Sequence, residues 1–233
     1  MARDFANPLP LPLLPLLFDP STAGPLAARS LACRRGRRLL FRDLDLRLDA
    51  GSVTWLRGTN GSGKTSLLRI LAGLSEPAEG ELLWGGRPLR QARAEARLGT
   101  VFIGHSNALK DDLSLLEALA FLAALAGNDR PAERAHAALE RLGLGLRRHA
   151  PVRTLSQGQR RRGALGRLVL DELPRTWLLD EPFDALDSPS MALLGGIIEA
   201  HASRGGAVLL TSHQALPISG AREFDLEAWR VKG

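Results

Sequence analysis

The chain contains no tyrosine, one cysteine, and lysine only at positions 64, 110 and 232. Each scarcity excludes something. A single cysteine, Cys33, cannot form an internal disulfide, and it suits a reducing compartment. No CxxCH and no clustered Cys/His pattern offers a haem attachment or a zinc site. The formal net charge is +6 and is carried almost wholly by arginine, so the surface permits contact with nucleic acid or anionic lipid without discriminating between them. No apolar run reaches the ~20 residues that a membrane-spanning helix needs. The most apolar stretch, ANPLPLPLLPLLFDPSTAGPL, is broken by prolines at 8, 10, 12, 15, 20 and 25, which predicts a flexible, polyproline-like extension over residues 1–24. Its weak positive charge and the lack of a small-residue cleavage site argue against a signal peptide, and a misassigned start codon stays open as an alternative. What is there is globular: 233 residues, 45% hydrophobic and 24% charged, enough for one domain of ordinary size.

From about Pro25 short apolar runs alternate with helical patterns. VTWLR (53–57), LGTVFI (98–103), TWLLD (176–180) and AVLLT (207–211) lack an alternating polar face, as strands covered on both sides of a parallel sheet do. Helical patterns lie between them: SLLRILAGL after residue 65, LLEALAFLAALAG from 115 and ERAHAALERLGL from 133. This order predicts an α/β fold with a parallel core. The preceding LAARSLACRRGRRLLFRDLDLRLDAG alternates and predicts antiparallel strands beside that core. Residues of about 106–165 carry only helical patterns and read as a helical lobe inserted between core strands.

GTNGSGKT, Gly58–Thr65, fits GxxxxGK[ST] directly after a strand and directly before a helix, the context this phosphate-binding motif needs. Gly58, Thr59, Asn60, Gly61, Ser62 and Gly63 would turn backbone N–H groups around phosphate oxygens at a helix start, with Ser66 following. Lys64 would reach the β- and γ-phosphates of ATP, and the Thr65 hydroxyl would bind Mg²⁺. TWLLDEP then places Asp180 and Glu181 at a strand's carboxyl end, the edge where open α/β sheets bind ligands. Asp180 would hold the Mg²⁺ and Glu181 would polarise the attacking water. The bland alternative is a helix cap for the segment that follows. LSQGQ, from Leu155, adds a second serine- and glycine-bearing helix start, a further anion-binding terminus.

Taken in this order, GTNGSGKT, LSQGQ and WLLDEP resemble the motifs of ABC ATPases over about residues 26–230, with Gln157 where the usual LSGGQ signature has its first glycine. DALD (184–187) is similar to the D-loop, and His213 after AVLLTS to the switch histidine. The resemblance implies a P-loop NTPase core with an antiparallel β subdomain and a helical lobe, in a domain covering 25–233. It also implies a head-to-tail homodimer, with each ATP between Lys64 of one subunit and Ser156, Gly158 and Gln159 of the other. Glu181, His213 and Lys64 would then be the catalytic set.

ABC ATPases usually carry a glutamine at the end of the second core strand, near the Mg²⁺ and water. Here that position falls on His105, which makes it a candidate metal-site residue whose charge could change near neutral pH. A neutral surface histidine is the other reading. GH at this position, LSLLEAL after it, LDEPFDALD, and TSHQALP at 211–217 make the chain similar to the ATP-binding export subunits of cytochrome c biogenesis, the CcmA type. That family lacks the aromatic residue that commonly stacks on adenine; the matching position falls near Arg35, whose guanidinium plane could lie on the base. Gly163 and Gly166 sit inside the helix after the signature, where each costs about 1 kcal/mol relative to alanine.

The resemblance implies a peripheral ATPase on the cytoplasmic face of the bacterial inner membrane. Its partners would be an integral membrane subunit and other cytochrome c maturation proteins. It would couple ATP hydrolysis to haem export, or to release of haem from a carrier. An ABC ATPase for another small substrate is the nearest alternative. A nucleic-acid-associated ABC ATPase would fit the charge but lacks the tandem domains, coiled coils or zinc modules usual there, so no nucleic-acid partner is expected. A module that binds ATP without hydrolysing it is opposed by the intact Lys64, Asp180, Glu181 and His213.

Overall fold

The computed structural model describes residues 25–231, so the extension expected over 1–24 lies outside the described residues. The chain opens with an antiparallel hairpin, β1 (Leu26–Arg35) and β2 (Arg38–Leu48), turning at Gly36 with φ 59°. It then enters the core through β3 (Val53–Arg57) and α1 (Lys64–Leu71), and returns to the antiparallel sheet as β4 (Glu79–Trp84) and β5 (Arg87–Pro88). A short helix, α2 (Arg93–Leu98), leads into β6 (Thr100–Ile103). Next come the helices α3 (Leu115–Leu125), α4 (Pro131–Arg141) and α5 (Gln157–Leu170). The core closes with β7 (Thr176–Leu179), α6 (Ser188–Ser203), β8 (Ala207–Thr211) and β9 (Arg222–Asp225), followed by a 3₁₀ turn, Leu226–Trp229.

The sheets are as different as their sequences. One has the order β2-β1-β4-β5 and is antiparallel; the other, β6-β7-β8-β3-β9, is parallel throughout. In the parallel sheet the carboxyl ends of β3, β6, β7 and β8 share one edge, so the loops starting at Gly58, Gly104, Asp180 and Ser212 open side by side. β7 and β8 are buried at every position, which is why they read as unbroken apolar runs. Two boundary expectations shift. LGTVFI begins as helix, with Leu98 closing α2, because Gly99 packs against the Trp84 ring; the strand starts at Thr100. The phosphate helix starts at Lys64 rather than after residue 65.

α3, α4 and α5 pack together between β6 and β7, with Leu115, Leu119, Leu139 and Leu165 in one buried cluster that also holds Trp177 of β7. Each fully buried leucine contributes about 1.5–3 kcal/mol. Gly163 and Gly166 have a packing reason: a Cβ at either would come within 3.0 Å of a side-chain methyl of Leu115 or Leu119, so α5 approaches α3 along its glycines. α5 carries on to Leu170, past the expected limit of the lobe near 165. A second cluster, including Phe41, Leu67 and Trp84, joins the antiparallel sheet to α1. No helix among the described residues is long and apolar enough to cross a membrane.

Candidate active site

The phosphate loop is built on positive-φ glycines: Gly58 (148°), Gly61 (78°) and Gly63 (110°). Gly63 has a further constraint, since a Cβ there would press on Phe41 and Leu40 at 3.1–3.2 Å. Lys64, nearly buried, donates from Nζ to the carbonyls of Gly58 (2.8 Å) and Thr59 (3.3 Å), so the loop curls around its own lysine. Phosphate oxygens are stronger acceptors than these neutral carbonyls and would draw the ammonium to them.

The Thr65 hydroxyl donates to Asp180 Oδ2 at 2.8 Å, and Thr211 donates to Asp180 Oδ1 at 3.0 Å. Thr211 Oγ1 in turn accepts from the Glu181 backbone N–H at 2.7 Å. The mostly buried Glu181 carboxylate accepts from the His213 backbone N–H at 3.2 Å and lies 3.3 Å from His213 Nε2. Burial pushes the Glu181 carboxyl up, with Asp184 adding to the rise, while His213 and Lys64 pull it down. The structure thus brings the 58–65 loop, Asp180, Glu181 and His213 to one place. Thr211, unnoticed in the sequence, is the hydroxyl that joins the two carboxylates; only its place at the end of an apolar strand could have pointed to it.

Other candidates stand apart. His105 is 77% exposed, with Nδ1 3.9 Å from Asp184 Oδ2, and it forms no hydrogen bond or ion pair with Thr65 or Asp180 among the described residues. Nor does any group of three or more His, Cys, Asp or Glu gather there to hold a metal. In this geometry the loop of His105 carries the ring out to solvent, beside Asp184. Arg35 ends β1 at the exposed hairpin tip. Just short of that tip the hairpin meets the phosphate helix, where Cys33, its thiol pushed up by burial, shares a hydrogen bond with Ser66.

Ser156 caps α5, accepting from Gln159 N–H at 3.2 Å while Gln159 Oε1 accepts from Ser156 N–H at 3.1 Å. Gly158 is required by a neighbour: a Cβ would lie 2.8 Å from the carbonyl of Ala185 in the DALD loop. No hydrogen bond or ion pair links Ser156, Gly158 or Gln159 to the phosphate loop of the same chain among the described residues.

The sequence missed a clamp from the chain's far end. Glu227 Oε1 accepts from Thr59 N–H (2.8 Å) and Thr59 Oγ1–H (2.6 Å), while Arg230 donates to Thr59 Oγ1 and to Glu227 Oε2. These bonds from Thr59, with Arg230 beside them, hold the Glu227 carboxyl down at about 2. Its only signal in the sequence was a Glu and an Arg spaced i, i+3 near the end.

A phosphate loop facing an Asp-Glu pair and a histidine at the edge of a parallel sheet, with a helical lobe inserted between strands, defines an ATP-binding cassette. Residues 41–184 match the ABC transporter family. Among solved structures, a putative ABC transporter ATP-binding protein from Pyrococcus furiosus superposes with TM-score 0.76 at 23% identity, covering 89% of this chain and all of that one. A dimeric ATP-binding cassette bound to ADP and Pi superposes with TM-score 0.71 at 21% identity, covering 81% and 88%. The cytochrome c biogenesis ATP-binding export protein CcmA of Methylococcus capsulatus is 48% identical over 84% of this chain and 94% of its own length. The CcmA protein of Pseudomonas aeruginosa is 47% identical over 87% of this chain and all of its own. The chain belongs to this family, as an ATP-binding subunit of the ABC type.

Proposed function

We propose that two copies of this chain clamp ATP between them and hydrolyse it to drive an integral membrane partner in c-type cytochrome biogenesis. The observation that carries this reading is the Thr65–Asp180–Thr211–Glu181 hydrogen-bond chain closing on the phosphate loop. Phosphoryl transfer needs positioning and charge stabilisation more than covalent chemistry, and these residues supply both. Lys64 exchanges its loop carbonyls for phosphate oxygens. Glu181 accepts a hydrogen bond from the attacking water and orients it, and His213 lies against that carboxylate to meet the terminal phosphate.

Thr65 Oγ1 and Asp180 Oδ2 offer hard oxygen donors at one spot, a set that suits Mg²⁺, which takes one or two protein ligands and otherwise phosphate and water. Bound there, the ion would neutralise charge on the transferred phosphoryl group. His105 is left as a residue of the neighbouring loop. Arg35 offers its guanidinium plane to the base; an R35A protein with unchanged nucleotide affinity would dismiss that contact.

One chain carries half of the proposed site. Its Ser156–Gln159 helix tip makes no hydrogen bond or ion pair with its own phosphate loop among the described residues, and the second half would come from a partner copy. α3 supports the membrane partner: its solvent side carries Phe121 (57% exposed) and Leu125 (68% exposed), a turn apart on a helix whose one charged residue, Glu117, lies in its first turn. After that first turn the helix is apolar on every side, as buried helices are, and a cytoplasmic segment of the membrane subunit would cover this side. The protein then sits on the cytoplasmic face of the inner membrane, with haem export or release of haem from its carrier as the work done.

The test is a K64A variant in cells and in purified membranes. Hydrolysis should be abolished and assembly of c-type cytochromes lost, while the protein still sediments with membranes. Retained turnover would refute the site. Normal cytochrome c with hydrolysis abolished would refute the haem role. Stimulation of the wild type by DNA or RNA would favour a nucleic-acid partner.

A further inference from the structure

Arg161 lies little more than a helical turn beyond the Ser156 cap of α5 and is 3% exposed. Among the described residues no carboxylate pairs with it directly. Nη1 donates to the Gly104 carbonyl at 3.1 Å and to Asn107 Oδ1 at 3.4 Å; Nη2 donates to the Asp180 carbonyl at 3.0 Å and the Glu181 carbonyl at 2.6 Å. Its Nε has no partner among the described residues. Burial pulls its pKa down, and only the nearby charges of Asp184, Asp180 and Glu181 oppose that. A guanidinium held this way is expensive to bury, and a leucine or methionine would fill the space more cheaply. The acceptors say what the charge is for: they belong to the loop that carries His105 and to the two residues at the catalytic end of β7.

Glu181 is also the point of backbone strain. Its φ is +50°, in the left-handed region that a non-glycine residue occupies at a cost and keeps only where its surroundings over-determine it. Both of its backbone groups are pinned, the N–H by Thr211, and the carbonyl by Arg161 at 2.6 Å with a longer bond from the Asp184 N–H at 3.2 Å. Without Arg161 the carbonyl keeps only the longer Asp184 bond, a weaker hold on a strained φ, and relaxation toward an ordinary φ would swing the carboxylate off the line of the attacking water.

We propose that Arg161 is a positioning residue for Glu181, fixing its strained backbone so that the carboxylate meets the water, and tying that geometry to the helix whose tip serves the other nucleotide of the dimer. The proposal rests on the reading of Glu181 as the water-orienting group. The planar fork of arginine suits the task, since it reaches acceptors in two segments at once, whereas lysine presents a single point charge.

The test uses the full chain as R161Q and R161K, with E181Q as control, reading steady-state ATP hydrolysis and equilibrium binding of a fluorescent ATP analogue. R161Q should lower kcat by roughly tenfold to a hundredfold, the scale of a small misplacement of a reacting group. KM and analogue affinity should stay within about twofold of wild type, since no ground-state contact is removed. R161K should recover part of the lost kcat. A folded R161Q with wild-type kcat overturns the proposal, as does a loss of kcat that tracks loss of analogue binding, the mark of a merely structural role. If R161Q does not fold, R161K decides alone: reduced kcat at unchanged KM supports the proposal, and wild-type kcat overturns it. Turnover retained in E181Q would instead remove the assignment of Glu181, and this inference with it.

Discussion

In its proposed role of orienting water Glu181 must be ionised, yet it is mostly buried, and removal from water disfavours its charge and raises its pKa above the ordinary 4.5. Hydrolysis should therefore fail on acidification at a midpoint above that value. The His213 imidazole, when protonated, opposes the rise, so H213A should move the acid limb to still higher pH, read from kcat/KM profiles independently of the lower plateau. A limb unmoved in H213A would mean that the contact does not tune this carboxylate. Glu227 has the opposite sign. Its folded pKa of about 2 lies below the ordinary 4.5, so its stabilising bonds to Thr59 and Arg230 are fully present above 4.5 and lost as the pH falls toward 2. E227Q should be less stable than wild type at neutral pH, and the gap in denaturation midpoint should narrow as the pH is lowered below 4.5. A constant gap would mean that the carboxylate's charge plays no part in holding the phosphate loop. For Glu181 the linkage reverses: ionising it as the pH rises through its shifted pKa removes stability.

At the scale of elements, helix propensity and packing disagree on α5, and packing wins. Gly166→Ala would gain about 1 kcal/mol of propensity. The new methyl, however, would sit 2.8–2.9 Å from both Leu119 methyls, and overpacking a buried site costs about 1–3 kcal/mol. The variant should come out neutral to about 2 kcal/mol less stable by urea denaturation, and a clear gain would show that α3 can move aside. This contact also explains what was legible beforehand. The glycines could be recognised as anomalous on a helix, but which side chain they admit depends on a partner some fifty residues away. The same divide runs through the sheet. β7 and β8 were readable because strands covered on both faces are continuously apolar. β4, with exposed residues over half its length, and the edge strand β9, REFD, present no such run and went unnoticed. The site divides likewise: Gly58–Thr65, Asp180, Glu181 and His213 follow from contiguous motifs. Arg161, Thr211 and Glu227 act through backbone groups or distant partners that leave no local pattern.

Across the whole molecule, the separation of Lys64 from Ser156 makes a prediction that no single-site argument can make. In a head-to-tail dimer each ATP site takes Lys64 from one copy and Ser156 from the other, so K64A and S156R should each be inactive alone. Mixed together, they form heterodimers in which one site collects both lesions and the other collects neither. Random association gives about half heterodimers, each with one sound site of two, so roughly a quarter of wild-type hydrolysis should return on mixing. The recovered rate should grow faster than linearly with total protein until association saturates. No recovery, in a mixture where cross-linking shows that heterodimers have formed, would mean that the two halves of the site do not meet across the dimer. An S156R protein that hydrolyses ATP at the wild-type rate by itself would locate the chemistry within a single chain.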